Sequence, residues 1–183
     1  MFDLDAFLAA CTAARQETEP LRAIKEVLSR AVSKGDDVAA ALPPERAGLT
    51  RLHVSAELTV LKVVWAPGMR LWPHDHRMWA AIGIYTGGEE NEFFRRNGTS
   101  LQESGGRSLR AGDVCLLGDD VIHAVENPSR QFAGAIHVYG GDFFTEPRSD
   151  WRSIPYEEEP YDVERTLAHF EAANAAAHND RSA

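Results

Sequence analysis

The sequence is poor in cysteine and has no long apolar segment. Only two of its 183 residues are cysteine, Cys11 and Cys115, and their wide separation argues against a disulfide framework. No apolar run approaches the roughly 20 residues that a membrane-spanning helix needs. Residues 1–5 lack the basic start and the long apolar run of a secretory signal. These absences predict a cytoplasmic protein with free thiols.

Positive charge is also scarce. Lys and Arg number 19 against 28 Asp and Glu, and the basic residues are scattered rather than gathered into a stripe. This balance argues against nucleic acids and anionic membranes as partners, so we expect a small-molecule partner and a monomer or homodimer. With 183 residues, 44% of them hydrophobic, the chain is long enough to form one buried core and too short to favour two full domains.

Hydrophobic spacing divides the chain into three parts. Residues 1–48 are predicted to be a helical extension packed on the core, because apolar residues recur at helical spacing within 2–34. Residues 49–147 carry short β-branched and aromatic runs separated by glycine-containing turns, which predicts a β-sandwich or small barrel. The predicted strands are 58–65, 79–86, 90–96, 99–104, 113–117, 121–126 and 131–139, with a type I′ hairpin turn at Asn97-Gly98. Residues 148–183 are predicted to be a C-terminal extension with a helix capped by Asp162. We expect both extensions to cover strand edges or to form a dimer interface.

The run Pro73-His74-Asp75-His76 carries the strongest functional pattern. A strand alternates its side chains with period two, so His74 and His76 project from one face, while Asp75 faces the other way and is expected in a loop or on the surface. Imidazole suits iron, nickel, copper and zinc, and a third histidine on a neighbouring strand would complete a site with open positions for substrate. His123 and His137 both qualify on pattern. The alternative is a loop HxH without a ligand.

Two spaced motifs resemble the paired motifs of the cupin superfamily. They are Gly68-x5-His74-x-His76 followed by Gly83 and Gly87, and Gly112-x5-Gly118-x4-His123-x3-Asn127. The resemblance implies a double-stranded β-helix of jelly-roll type, with the metal held inside the barrel by His74, His76 and His123. Many cupins add a Glu ligand, but the corresponding position here is Ala81 or its neighbours Trp79 and Ala80. A three-histidine site without the Glu resembles the thiol dioxygenases of this superfamily.

Further segments resemble that family. Trp65 matches a Trp on the strand that enters the first motif, and residues 135–139 resemble the family's S-x-H-x-Y strand. The resemblance implies catalytic roles for His137 and Tyr139 and substrate-binding roles for Trp65 and Arg51, with Arg51 pairing with a substrate carboxylate. Two departures are Ala135, which replaces the Ser of a Ser-His-Tyr relay, and Ala81, which replaces the Cys that mammalian members crosslink to the Tyr.

The activity implied by the resemblance is Fe(II)-dependent oxidation of a small thiol by O2. The substrate would carry a carboxylate, like cysteine or 3-mercaptopropionate, and the product would be its sulfinate. Two alternatives remain open from the sequence. One is a different chemistry at the same three histidines, either a carbon–carbon-cleaving dioxygenase or an isomerase that uses nickel, manganese or zinc. The other is a cupin that binds a ligand without turnover.

Overall fold

The core of the protein consists of two antiparallel β-sheets that face each other. The computed structural model describes residues 1–181. In chain order, its elements are α1 (Leu4–Arg15), α2 (Pro20–Val32), α3 (Gly35–Ala41), β1 (Gly48–Val54), β2 (Thr59–Trp65), β3 (Arg70–Asp75), β4 (Ala80–Thr86), β5 (Gly88–Asn97), β6 (Ser100–Arg110), β7 (Val114–Leu117), β8 (Ile122–Glu126), β9 (Ala133–Tyr139), β10 (Ser149–Asp150), β11 (Glu159–Pro160) and α4 (Val163–Arg181). One sheet has the order β1-β2-β9-β4-β7 and the other β11-β10-β3-β8-β5-β6. This is a double-stranded β-helix, so the predicted all-β cupin core with helices at both ends is confirmed.

The five-stranded sheet is covered on both faces. Along β9, Ala135 belongs to the core between the sheets, whereas its neighbours Ile136 and Val138 pack against the N-terminal helices. Every residue of β9 is therefore buried, and the strand shows the continuous apolar pattern of a doubly covered sheet.

The N-terminal helices lie on the outer face of this sheet. Helix α2 begins at Pro20 and buries Ile24 and Leu28, as its spacing predicts. Gly83 on β4 permits the close approach, because a Cβ at this position would lie 3.0 Å from Val32 Cγ1. The N-terminal helices cover mainly this face, and α2 also contacts β7 at the edge of the sheet. Residues 16–19 also divide the helical region predicted over 2–34 into α1 and α2.

Two core strands were absent from the prediction. Strand β1 lies at the edge of its sheet and is half exposed and polar, and β3 contains Pro73, so neither has the apolar pattern by which the other strands were predicted. The β5–β6 hairpin is present, but its two-residue loop is Gly98-Thr99 rather than Asn97-Gly98, and Asn97 pairs with Ser100. Gly98 adopts a φ of 62°, which glycine tolerates at the first position of such a loop.

The C-terminal helix closes one end of the barrel. Asp162 caps it as predicted, since the Arg165 backbone N–H donates to Asp162 Oδ1 over 3.1 Å. Phe170 on α4 is buried and stacks on Trp65, with ring centroids 5.3 Å apart. Within residues 1–181, no helix has the length and apolar character needed to cross a bilayer.

Candidate metal centre

Three histidines meet inside the barrel at the pairing of β3 with β8. His74 lies directly opposite His123 in the strand register, and His76 follows the end of β3. One ring nitrogen from each of the three lies within 4.8 Å of the others. The Nε2 atoms of His76 and His123 are 3.4 Å apart, and all three side chains are buried. The structure therefore brings together the three histidines that the cupin resemblance singles out as ligands.

Hydrogen bonds orient two of the three rings. His74 Nδ1 lies 3.0 Å from the Trp72 carbonyl oxygen, so it carries the proton and leaves Nε2 as a lone pair. His123 Nδ1 lies 2.7 Å from Asn91 Oδ1, which assigns the same tautomer to His123. His76 Nδ1 has no hydrogen-bond partner among the described residues.

The environment keeps these imidazoles neutral. Burial lowers the pKa of His74 to about 4. The hydrogen bond to the Trp72 carbonyl raises this pKa, and the positive charge of Arg148 lowers it further. Burial, and then repulsion from the other histidines, holds the pKa of His76 and of His123 well below the usual range. Neutral imidazole is the form that binds metals.

The donor atoms fit a transition-metal ion. Two nitrogens bound to one ion at about 2.1 Å lie about 3.0–3.4 Å apart for angles of about 90–110°, and the observed His76–His123 separation is 3.4 Å. A cation bound between the two nitrogens would accept a lone pair from each ring. No carboxylate or thiol joins the cluster within residues 1–181.

The residues of β4 that face the barrel explain why this strand supplies no carboxylate ligand. Ala80 and Ile82 belong to the core between the sheets, whereas Ala81 packs on the outer side with the helices. Ala80 is paired with Tyr139 in the register of β4 with β9. The residue of β4 that faces the barrel beside Tyr139 is therefore Ala80, one of the three residues considered for the Glu position, and Ala81 faces away from the cavity.

His137 and Tyr139 lie side by side on the inner face of β9. His137 Nδ1 is 2.9 Å from Tyr139 Oη, and both side chains are buried. Among the described residues nothing bonds His137 Nε2, and the nearby position 135 on the same strand is an alanine, which has no hydroxyl to offer. Burial raises the pKa of Tyr139, so its phenol stays protonated, and burial lowers the pKa of His137 to about 3.

The cavity beside the histidines is small. Its volume is about 20 Å³, which is room for about one water molecule or ion. Its walls come from both sheets and from the C-terminal segment: Leu49, Val63, Trp65, Leu71, His74, His76, His123, Val125, His137, Tyr139, Phe143, Tyr161, Thr166 and Phe170. Trp65 thus lies in the predicted pocket, and the C-terminal segment supplies its cover.

The structure does not bring Arg51 into this cavity. Arg51 is exposed on β1, and its guanidinium lies over Phe144, 3.8 Å from the ring centroid. Arg148, which the sequence patterns did not single out, is buried beside the cavity wall. Its guanidinium lies between Phe143 and Tyr161, 3.9 and 4.0 Å from their ring centroids.

Arg148 has an incomplete set of partners. Its Nη1 donates to the Phe143 carbonyl oxygen, but Nε and Nη2 are buried without a partner in the described chain. A buried cation with unsatisfied donors is costly unless an anion pairs with it. Arg148 also lines an open surface cleft with Arg77 and Glu158. No sequence pattern marked it, since it lies in the irregular segment after β9.

Asp75 is buried, contrary to the expectation of a loop or surface position. Its carboxylate accepts from the Ser149 backbone N–H at 2.8 Å and contacts Arg77 and Arg96 at 2.7 and 3.1 Å. Asp75 therefore fastens the C-terminal segment to β3 next to the histidines, on the side of the strand away from the cavity.

Comparison with known proteins gives structural likenesses at low sequence identity. No family model matches the sequence. An oxalate oxidase in complex with the substrate analogue glycolate is 18% identical, with 51% of this chain and 50% of that chain covered and a TM-score of 0.42. An uncharacterized protein with a double-stranded β-helix domain from Klebsiella pneumoniae is 17% identical, with 54% and 75% covered and a TM-score of 0.42. An RmlC-like cupin family protein from Methanocaldococcus jannaschii is 11% identical, with 53% and 82% covered and a TM-score of 0.43. The chain spans about half the length of the oxalate oxidase chain.

The strand order and the buried cluster define the class of this protein. It has the double-stranded β-helix fold of the cupins, with a three-histidine centre inside the barrel that fits a metal ion.

Proposed function

We propose that this protein is a non-haem Fe(II) thiol dioxygenase that converts a small carboxylate-bearing thiol into its sulfinate. One observation carries the proposal: among the described residues, three neutral histidines without a carboxylate ligand lie in the same buried region as a guanidinium whose Nε and Nη2 have no partner. The first group suits a metal that binds a thiolate, and the second suits the carboxylate at the other end of a short substrate.

In this proposal, His74, His76 and His123 hold the iron through their Nε2 atoms. When bound, Fe(II) supplies the redox chemistry by which both atoms of O2 reach a thiol sulfur. Three neutral ligands leave the charge of the ion uncompensated, which favours binding of the substrate sulfur as thiolate.

Arg148 takes the place of Arg51 as the proposed carboxylate-binding residue. Its buried Nε and Nη2 offer two parallel N–H groups, the geometry that a carboxylate accepts. The Phe143 and Tyr161 rings fix the guanidinium plane from both sides. A bound carboxylate would also neutralise a buried charge that has no counterion among the described residues.

Tyr139 is the proposed hydrogen-bond donor to the reacting groups, and His137 orients it. If His137 carries its proton on Nδ1, it donates to Tyr139 Oη and leaves the hydroxyl proton free for the cavity. The other tautomer would bury an unpaired Nε2–H, which costs more than an unpaired lone pair. We therefore propose the Nδ1–H tautomer.

Substrate entry requires a movement of the cavity wall. A volume of about 20 Å³ cannot hold a three-carbon thiol. Phe143 and Tyr161 separate Arg148 from the histidines, and both lie in the segment that follows β9. A shift of these rings would connect the outer cleft, Arg148 and the cluster.

The same small volume favours a second candidate function, a cupin that binds a metal without turnover. The deciding experiment is O2 consumption by the Fe(II)-loaded protein with cysteine, 3-mercaptopropionate, cysteamine and mercaptosuccinate, together with mass-spectrometric detection of sulfinate. His76→Ala is the control. Sulfinate formation that this substitution abolishes supports the dioxygenase. One tightly held iron without O2 uptake with any thiol refutes it and favours the second candidate.

A further inference from the structure

A carboxyl group is buried in the barrel wall behind the histidines. Glu89 on β5 is 1% exposed, and it is not part of the histidine cluster. Its Oε2 accepts from Trp65 Nε1 over 2.9 Å and its Oε1 accepts from Asn91 Nδ2 over 3.1 Å. Burial raises the pKa of Glu89 to about 7, although both hydrogen bonds lower it. A group that is so costly to bury requires an explanation.

Asn91 connects Glu89 to the histidine cluster. The ionised Glu89 accepts at both oxygens, so the amide NH2 of Asn91 faces Glu89 and its Oδ1 faces His123. Oδ1 is only an acceptor, so His123 Nδ1 must carry the ring proton. The Nε2 lone pair of His123 then points toward His76 Nε2, 3.4 Å away.

We propose that Glu89 is a positioning residue for the metal centre, acting through Asn91 to hold His123 in the tautomer whose Nε2 ligates the metal. This inference rests on the metal-binding part of the proposed function and is independent of thiol oxidation. His74 obtains the same orientation from a backbone carbonyl, and His76 Nδ1 has no partner within residues 1–181. His123 is thus the ligand whose orientation is determined by other side chains.

The direction of the hydrogen bonds that link Glu89, Asn91 and His123 suggests two variants that test the proposal. In Glu89→Gln, the amide NH2 that faces Asn91 forces Asn91 to turn and to present its own NH2 to His123. His123 Nδ1 must then become an acceptor, and its proton moves to Nε2, the metal-binding atom. The double variant Glu89→Gln/Asn91→Asp restores an acceptor at position 91. The new carboxylate there accepts both from the amide introduced at position 89 and from His123 Nδ1.

The first measurement is the Co(II) affinity of the metal-free proteins by competition with a chromophoric chelator. We expect Glu89→Gln to weaken binding by about 10–100-fold and the double variant to recover to within about threefold of wild type. Glu90→Gln is the matched control, because Glu90 is on the same strand but pairs with Ser108 at the surface. Its affinity should equal that of wild type.

The second measurement is the tautomer of His123 in the metal-free proteins, from its ¹⁵N chemical shifts. A proton on Nδ1 in wild type and in the double variant, but on Nε2 in Glu89→Gln, is the expected result. Equal Co(II) affinities and equal shifts for wild type and Glu89→Gln overturn the proposal. The proposal is also overturned if the double variant folds, as judged by thermal melting, but binds Co(II) as weakly as Glu89→Gln. A wild type that binds Co(II) but oxidises no thiol would refute the proposed activity and leave this positioning role intact.

Discussion

His76 and His123 present their Nε2 atoms to each other across 3.4 Å inside the barrel. Both imidazoles have a pKa held well below the usual range by burial, so each ring is neutral and carries one N–H. Only the folded protein holds the two nitrogens at this separation, so an ion that binds both of them binds the folded state in preference to the unfolded state.

Metal addition should therefore stabilise the protein. A divalent ion at about 100 times its Kd adds about 2.7 kcal/mol to the free energy of unfolding, which corresponds to a rise in Tm of about 5–11 °C for a chain of this size. Thermal melting with and without Co(II) measures the effect. His76→Ala should lose the shift, whereas His53→Ala, on β1 outside the cavity lining, should keep it. An equal shift in both variants would place the metal elsewhere.

Removal of Arg148 should raise KM mainly for substrates that carry a carboxylate. Loss of a charge-assisted pair costs about 2–3 kcal/mol, so Arg148→Met should raise KM for 3-mercaptopropionate by about 30–150-fold. The KM for cysteamine, which has no carboxylate, should change by less than about threefold. Arg51→Met is the matched control and should leave both KM values near wild type. A reversed pattern would restore Arg51 as the carboxylate partner.

Tyr139→Phe should lower kcat more than it raises KM. The substitution keeps the ring and removes the hydroxyl that lies 2.9 Å from His137 Nδ1. If that hydroxyl bonds the reacting groups mainly in the transition state, kcat should fall by about 10–100-fold with KM within about threefold. Steady-state O2 uptake gives both constants. An unchanged kcat would contradict a catalytic role for the hydroxyl.

The metal-free protein should lose stability in acid. His137 has its pKa lowered by burial from 6.5 to about 3, so between these pH values the unfolded state binds more protons than the folded state. The free energy of unfolding therefore rises with pH across this window, by up to about 1.4 kcal/mol per pH unit for this residue. Urea denaturation at a series of pH values should give a shallower slope for His137→Gln than for wild type. Identical slopes would show that His137 does not titrate in this way.

Gly134→Ala should destabilise the strand that carries His137 and Tyr139. A Cβ at this position would overlap the Tyr85 ring, which cannot retreat easily because its hydroxyl donates to the Leu42 carbonyl over 2.9 Å. We expect a loss of about 2–3 kcal/mol in urea denaturation. Gly118→Ala is the control, since a Cβ there meets nothing within 4 Å, and its effect should stay within about 0.5 kcal/mol. Equal effects would mean that Tyr85 repacks freely.

The barrel and two of the three histidines were predictable from local patterns, whereas the choice of His123 over His137 came from the resemblance to the cupin motifs. Turn residues between short apolar runs indicate strands, and the spacing of His74 and His76 places two rings on one face of a strand. Strand β3 was assumed in that argument but was missing from the predicted strand ranges, because Pro73 and the histidines replace the apolar pattern that its central position would require.

The groups that were missed depend on tertiary contacts. Arg148 and Asp75 look like surface residues in the sequence, and only the packing of the C-terminal segment on β3 buries them. Glu89 and Asn91 alternate with exposed or half-exposed neighbours on β5, the pattern of an ordinary sheet. Their link to His123 appears only when β5 pairs with β8.

The pairing of β3 with β8 makes the histidine cluster a test of correct assembly. His74 and His123 face each other only in the native register, and a slip of one residue would turn His123 to the other side of the sheet. A misaligned barrel would thus keep its strands and lose its nitrogen triplet. Metal-affinity enrichment after refolding would select molecules with an intact triplet. It would therefore also select molecules in which β3 and β8 have paired in the native register.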